Sequence, residues 1–79
     1  MGNLRKIREE KRLSQIAVQM KTGIDQGHLS KIERGERLPS TENLLLLADL
    51  YNTSIDFLMD RTDENKPYPP KKTDINNKK

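Results

Sequence analysis

A chain of 79 residues with 15 Lys/Arg against 12 Asp/Glu, and so a formal net charge of +3, is sized for one small domain. It has no cysteine, which excludes a disulfide framework and a cysteine-rich zinc site. No apolar run approaches the roughly 18 residues of a membrane span and no signal-peptide core follows the start, so a cytoplasmic protein is expected.

Taken in chain order, the predicted elements are five short helices. Asn3 is expected to cap the first, which runs to about Lys11 or Arg12 with Leu4, Ile7 and Lys11 along one stripe. Leu13-Ser14 interrupts, and Ser14 is a good N-cap for a second helix from Gln15 to about Lys21. Thr22-Gly23 stops that helix. Asp25 then caps a third, Gln26 to about Arg34, ended by Gly35. After Leu38-Pro39, Ser40 caps a fourth helix that ends near Tyr51, and Thr53 or Ser54 opens a short fifth through about Met59. No stretch alternates with period two for long enough to read as a strand. The fold class is therefore all-α, a compact bundle over residues 1–61. Residues 62–79, which hold three of the chain's four prolines and few apolar side chains, are predicted to be a disordered Lys- and Pro-rich tail.

Charge is unevenly spread over these elements. Residues 1–37 carry nine Lys/Arg against five Asp/Glu, whereas residues 38–61 carry one against four. A basic first half points to an anionic partner. The acidic half contains the run Leu44–Leu47, and successive helical residues lie about 100° apart. Four in a row cannot all face one core. Leu44 and Leu47 share a stripe with Ala48 and Tyr51. Leu45 and Leu46, with Phe57 and Met59 close behind, are candidates for a dimer interface or for packing within the chain.

The second and third helices, joined by a glycine-containing turn over about residues 14–34, fit a helix-turn-helix, whose second helix enters the major groove of DNA. The third helix suits that task. Leu29 and Ile32, with Ile24 before them, form one apolar stripe, and Gln26, Gly27, His28, Ser30 and Lys31 face outward. Gln26 offers an amide that can bond adenine N6 and N7 together, Lys31 can reach guanine or a phosphate, and His28 can donate to either. Gly27 lets backbone approach the base edges. Gln15 and Ser14 at the start of the second helix, and Ser30, Arg34 and Arg37 at and after the third, are the candidate contacts to the DNA backbone.

The segments "LSQ" (13–15), "GI" (23–24), "LSKIERGERLPS" (29–40), "LLLLADLYNTS" (44–54) and "IDFLM" (55–59) resemble the Cro and phage-repressor type of helix-turn-helix domain, the XRE family. The resemblance runs from about Leu4 to Met59. It implies a five-helix, lambda-repressor-like fold and a homodimeric regulator, most simply a repressor, on a pseudo-palindromic double-stranded DNA operator. It implies base contacts from Gln26, Gly27 and Lys31, and phosphate contacts from Gln15 and the loop after the third helix. It also implies a structural ion pair between Arg8 and Glu33. The chain departs from the pattern at three places. Gln19 stands where the family usually has a small residue, Thr22 where it has an apolar one, and Gly27 where it has a side chain that reads bases.

A second reading is a protein-interaction module, such as an antitoxin that masks a toxin through the leucine-rich acidic half. An enzyme is not expected, because one histidine and no cysteine leave no nucleophile–base pair to propose. No ligand spacing suggests a metal site, and no cofactor is expected.

Overall fold

A computed structural model describes residues 1–68 of the chain. Helix α1 spans Gly2–Glu10, α2 Gln15–Thr22, α3 Gln26–Glu33, α4 Thr41–Tyr51 and α5 Ile55–Leu58. No strand occurs among the described residues.

Four helices start where a short polar side chain bonds an amide three residues ahead. The hydroxyl of Ser14 accepts from the N–H of Ala17 at 3.0 Å, the carboxylate of Asp25 from His28 at 3.2 Å, Ser40 from Asn43 at 3.1 Å and Ser54 from Phe57 at 3.0 Å. The first helix departs from expectation. It begins at Gly2, and Asn3 lies inside it. Its cap comes from the far end of the domain, where the Asp60 carboxylate accepts from the N–H groups of Gly2 at 3.1 Å and Asn3 at 2.9 Å. Asn3 instead donates its amide to the Phe57 carbonyl at 3.0 Å, which ties α1 to α5.

The helix ends share one device. At α1, α3 and α5 the residue after the C-cap turns left-handed, at α4 the C-cap itself does, and in each case the next N–H reaches back five residues, as in Leu13 to the Arg8 carbonyl at 3.2 Å and Glu36 to that of Lys31 at 2.9 Å. Gly35 fills the left-handed position after α3 at φ 78°, and Gly23 ends α2 at φ 81°. The other three such positions are held by Arg12 (φ 58°), Asn52 (φ 53°) and Asp60 (φ 62°). Asn and Asp tolerate this region and arginine has no such excuse, which is why α1 stops at a residue that gives no local sign of it.

One core joins all five helices: Leu4 and Ile7 from α1, Val18 from α2, Leu29 and Ile32 from α3, Leu44, Leu47 and Tyr51 from α4, and Phe57 and Leu58 from α5, closed by Ile24 in the turn. The leucine run divides as the helical period requires, with Leu44 and Leu47 inside and Leu45 and Leu46 exposed. Phe57 is a correction. It is 2% exposed and packs within its own chain, so it does not lie on an outer patch, whereas Met59 does remain exposed. Lys11 likewise leaves the α1 stripe for solvent.

Residues 62–68 are without helix, as expected of a tail, yet they lie against the domain. Thr53 donates to the Asn65 carbonyl at 2.9 Å, Asn3 to that of Thr62 at 3.3 Å, and the Tyr68 hydroxyl to Asp56. The expectation for 69–79 falls outside the described residues.

Candidate nucleic-acid interface

Helices α2 and α3 meet through the three-residue turn Gly23–Asp25 that Gly23 makes possible, and Ile24 buries the turn against the core. Their polar faces are joined by side chains. Gln26, the first residue of α3, donates its Nε2 to Gln15 Oε1 at 2.6 Å. Gln15, the first residue of α2, donates its Nε2 to Glu33 Oε1 at 3.0 Å. Glu33 in turn takes two N–H groups from Arg8 of α1, at 2.6 and 3.0 Å. The ion pair implied by the resemblance is thus present, and it is the inner end of a four-residue chain that leads out to the tip of α3.

The pair is well buried, with side-chain exposures of 11% for Arg8 and 2% for Glu33. Its hydrogen bonds to Glu33 push the Arg8 guanidinium further above its ordinary value, against the opposing effect of burial. The third guanidinium nitrogen donates to the Leu13 carbonyl at 2.8 Å, so Arg8 also pins the turn that leads into α2. The Tyr51 hydroxyl lies in the same neighbourhood, fully buried and without a hydrogen-bond partner among the described residues. Burial first, and the Glu33 charge second, push its phenol well above the usual tyrosine value.

Gln19 is the residue that reading the sequence missed. In the place where a small side chain is usual, its Oε1 accepts from the backbone N–H of Gln26 at 2.7 Å. It therefore takes one of the open amides of the first turn of α3, beside the one that Asp25 takes. Its departure from the family pattern was the available signal. In α2, Val18 is fully buried and Met20 is 82% exposed. Thr22, the second departure, turns its hydroxyl back to the Val18 carbonyl at 2.8 Å and also accepts from the Ile24 N–H at 3.1 Å.

The remaining candidates fall into three groups. Gly27 and Lys31 are exposed one turn apart on α3, and Lys31 has no ion pair among the described residues. A Cβ on Gly27 would stand 3.1 Å from the Asp25 carboxylate that caps the helix, so a side chain there would press on the cap. His28 and Ser30 are half-buried on the flanks of the same face. Ser14 is occupied as a cap through its oxygen, while its O–H stays able to donate. Beside it, the N–H groups of Gln15 and Ile16 find no acceptor among the described residues. Arg34 is the least available of the set, since it bonds Ser30 and, at 2.7 and 3.2 Å, Glu36. That pair holds the Glu36 carboxyl below its ordinary value, and because both residues lie in solvent it is easily exchanged for another anion. Arg37 is exposed and enters no hydrogen bond or ion pair among the described residues. Between α1 and α3 lies a polar depression of about 400 Å³ lined by Arg5, Arg8, Gln15, Ser30, Glu33 and Arg34.

The arrangement brings two helix starts together, with the Gln15 and Gln26 amides bonded to each other, the Lys31 side chain exposed and open backbone N–H groups at the start of α2. The helix-turn-helix family model HTH_3 matches residues 4–58. An uncharacterized HTH-type transcriptional regulator, y4dJ of Sinorhizobium fredii, is 39% identical over 63 residues, which covers 80% of this chain and 82% of the relative. The HTH-type transcriptional regulator ImmR of Bacillus subtilis is 35% identical over 75 residues, 95% of this chain but only 57% of ImmR. No solved structure gives a significant match.

Proposed function

The chain belongs to the HTH_3 helix-turn-helix family, and from that premise we propose that it binds duplex DNA as a dimer at a pseudo-palindromic operator and represses transcription there. DNA-binding transcription regulation is the activity that the family and the named regulators support. In this reading α3 lies in the major groove. Gln26 and Lys31 contact base edges with His28 beside them, and Gly27 leaves its position open to close backbone approach. Gln15, Ser14 and the open amides at the start of α2 hold one phosphate, while Ser30, Arg34 and Arg37 follow the backbone on the other side. The single observation that carries the reading is the bond between Gln15 and Gln26, which brings a backbone-contacting residue and a base-reading residue together at the mouth of the helix pair.

Dimerisation is assigned to the exposed Leu45, Leu46 and Met59, which leave apolar surface on the acidic half of the domain. Two recognition helices about 34 Å apart then meet successive major grooves. The regulator acts in the cytoplasm. No helix among the described residues is long and apolar enough to cross a membrane.

Selection of preferred sites from random duplex DNA tests the proposal, since half-site, spacing and symmetry emerge together. With three or four phosphates neutralised per subunit, log K against log salt is expected to fall with a slope of about −5 to −7. Absence of any enriched sequence, together with stable co-purification of a second protein, refutes the proposal and favours an interaction module that works through the leucine-rich face.

A further inference from the structure

The Gln19 side chain has two polar ends, and the fold uses only one of them. A backbone N–H can only donate, so the atom that meets the Gln26 N–H at 2.7 Å has to be the Gln19 amide oxygen. That bond fixes the orientation of the amide and turns its nitrogen the other way. Nε2 carries two N–H groups and cannot accept. It bonds nothing among the described residues. There the Tyr51 hydroxyl is the one side-chain polar atom both sealed from solvent and without a partner, so the nitrogen of the half-buried Gln19 reaches the surface.

The place where it does so is constrained. Gln19 stands one turn after Gln15, on the same side of α2. The two polar atoms of a primary amide are about 2 Å apart, so Nε2 lies within about 5 Å of the first backbone nitrogen of α3. Gln26 bonds Gln15 through its side chain and Gln19 through its backbone, so the Gln19 nitrogen opens at the mouth of the helix pair. An amide that accepts a hydrogen bond is polarised by it and donates more strongly through its own N–H. Gln19 thus replaces one backbone donor, the Gln26 N–H, with two side-chain donors placed further out. A small residue at this position would leave the backbone N–H open and supply neither.

We infer that Gln19 is a further DNA-contacting residue, whose Nε2 donates to an oxygen of the duplex beside the start of α3. The inference rests on the proposed entry of α3 into the major groove. Two kinds of oxygen have the required chemistry: those of a phosphate, and the O6 of guanine or O4 of thymine on the groove floor. The amino groups of adenine and cytosine present only hydrogens, which Nε2 cannot accept.

Binding of the full-length chain to a systematically altered duplex tests the inference. The duplex carries the site that the wild type selects from random DNA. Each base pair is substituted in turn, and each phosphate is replaced in turn by an uncharged methylphosphonate. Wild type, Gln19→Ala and Gln19→Glu are compared, with circular dichroism as the check on folding. Gln19→Ala is expected to bind the unaltered duplex about fivefold or more weakly, which is what one hydrogen bond contributes. It should also lose its response at one position and keep the wild-type response elsewhere. A phosphate at that position identifies the backbone as the acceptor, and a base pair identifies the groove floor. Gln19→Glu keeps an oxygen for the Gln26 N–H, so the cap survives, but it has no donor at its other end. It is expected to bind more weakly than Gln19→Ala. Against a phosphate, the methylphosphonate at that position relieves the loss. Against a base, the preference shifts to a pair that shows an amino group there, since a carboxylate accepts from cytosine N4. Should Gln19→Ala not fold, the Gln19→Glu measurements decide alone.

If Gln19→Ala answers every alteration as the wild type does, Gln19 acts only within the protein and the inference is overturned. A loss for Gln19→Glu that is uniform over all altered duplexes overturns it equally. Both results leave the proposed function standing. A wild type that selects no site from random DNA removes the proposed function, and the inference falls with it.

Discussion

Removing the arginine from the buried pair strands a desolvated carboxylate. Arg8→Met leaves the Glu33 carboxylate at 2% exposure with one remaining partner, the N–H of Gln15. Stripping one member from a buried ion pair costs roughly 3–5 kcal/mol, because the other charge stays desolvated. A domain of this size has only about 3–10 kcal/mol to lose, at roughly 0.05–0.15 kcal/mol per residue. With a urea slope near 1 kcal/mol/M, the unfolding midpoint followed by helical circular dichroism should drop by about 3 M or disappear. Glu33→Gln should be milder, at about 2–3 kcal/mol, because the stranded guanidinium is 11% exposed and keeps the Leu13 carbonyl. Replacing both residues with methionine should recover most of the loss and come within about 1 kcal/mol of the wild type. With Glu33→Met as the second single variant, the resulting cycle should give a coupling of at least about 2 kcal/mol. If Arg8→Met costs less than about 1 kcal/mol and the double variant only sums the singles, the pair is solvated and the reasoning from burial is wrong.

Three further outcomes are expected. Tyr51→Phe removes a buried hydroxyl that has no partner among the described residues, and should raise stability by about 1 kcal/mol. Because the folded phenol titrates above its unfolded value, wild-type stability should be fully present below about pH 10 and decline as pH rises further, and the phenylalanine variant should show a flatter alkaline limb in urea titrations. Asp60→Ala deprives Gly2 and Asn3 of their acceptor; a loss of about 1–2 kcal/mol is expected, with faster amide hydrogen exchange at those two residues as its signature. Arg12→Gly relieves a left-handed backbone at φ 58°, and should stabilise by roughly 0.5–1 kcal/mol in the same denaturation assay.

What could be read from the sequence was what depends on near neighbours. Ser14, Asp25, Ser40 and Ser54 each bond an amide three residues ahead, so the residue type and its place before an apolar run are enough to find a helix start. The long α4 carries more than two turns of pattern, and the division of Leu44 and Leu47 from Leu45 and Leu46 follows from the helical period. Helix α5 has four residues and no period to read, so Phe57 was open to either side until the core was seen. The α1 cap was out of reach for a different reason. Asn3 has the right chemistry at the right place, and a carboxylate 57 residues later does the work. The candidate site divides in the same way. Composition and spacing find an outward set on α3, but that Glu33 reaches Gln26 through Gln15 depends on three helices meeting, and no local pattern encodes it.

The Asp60 cap has a consequence for how the protein is made. The amide of Gly2 leaves the ribosome 58 residues ahead of its acceptor, which at ~5–20 residues per second is a delay of about 3–12 s. Until then the nascent first helix frays at its leading end, and the guanidinium it carries has no carboxylate before Glu33 arrives. The leading turn of α1 thus completes its hydrogen bonds only once the fifth helix and the Asp60 behind it have emerged.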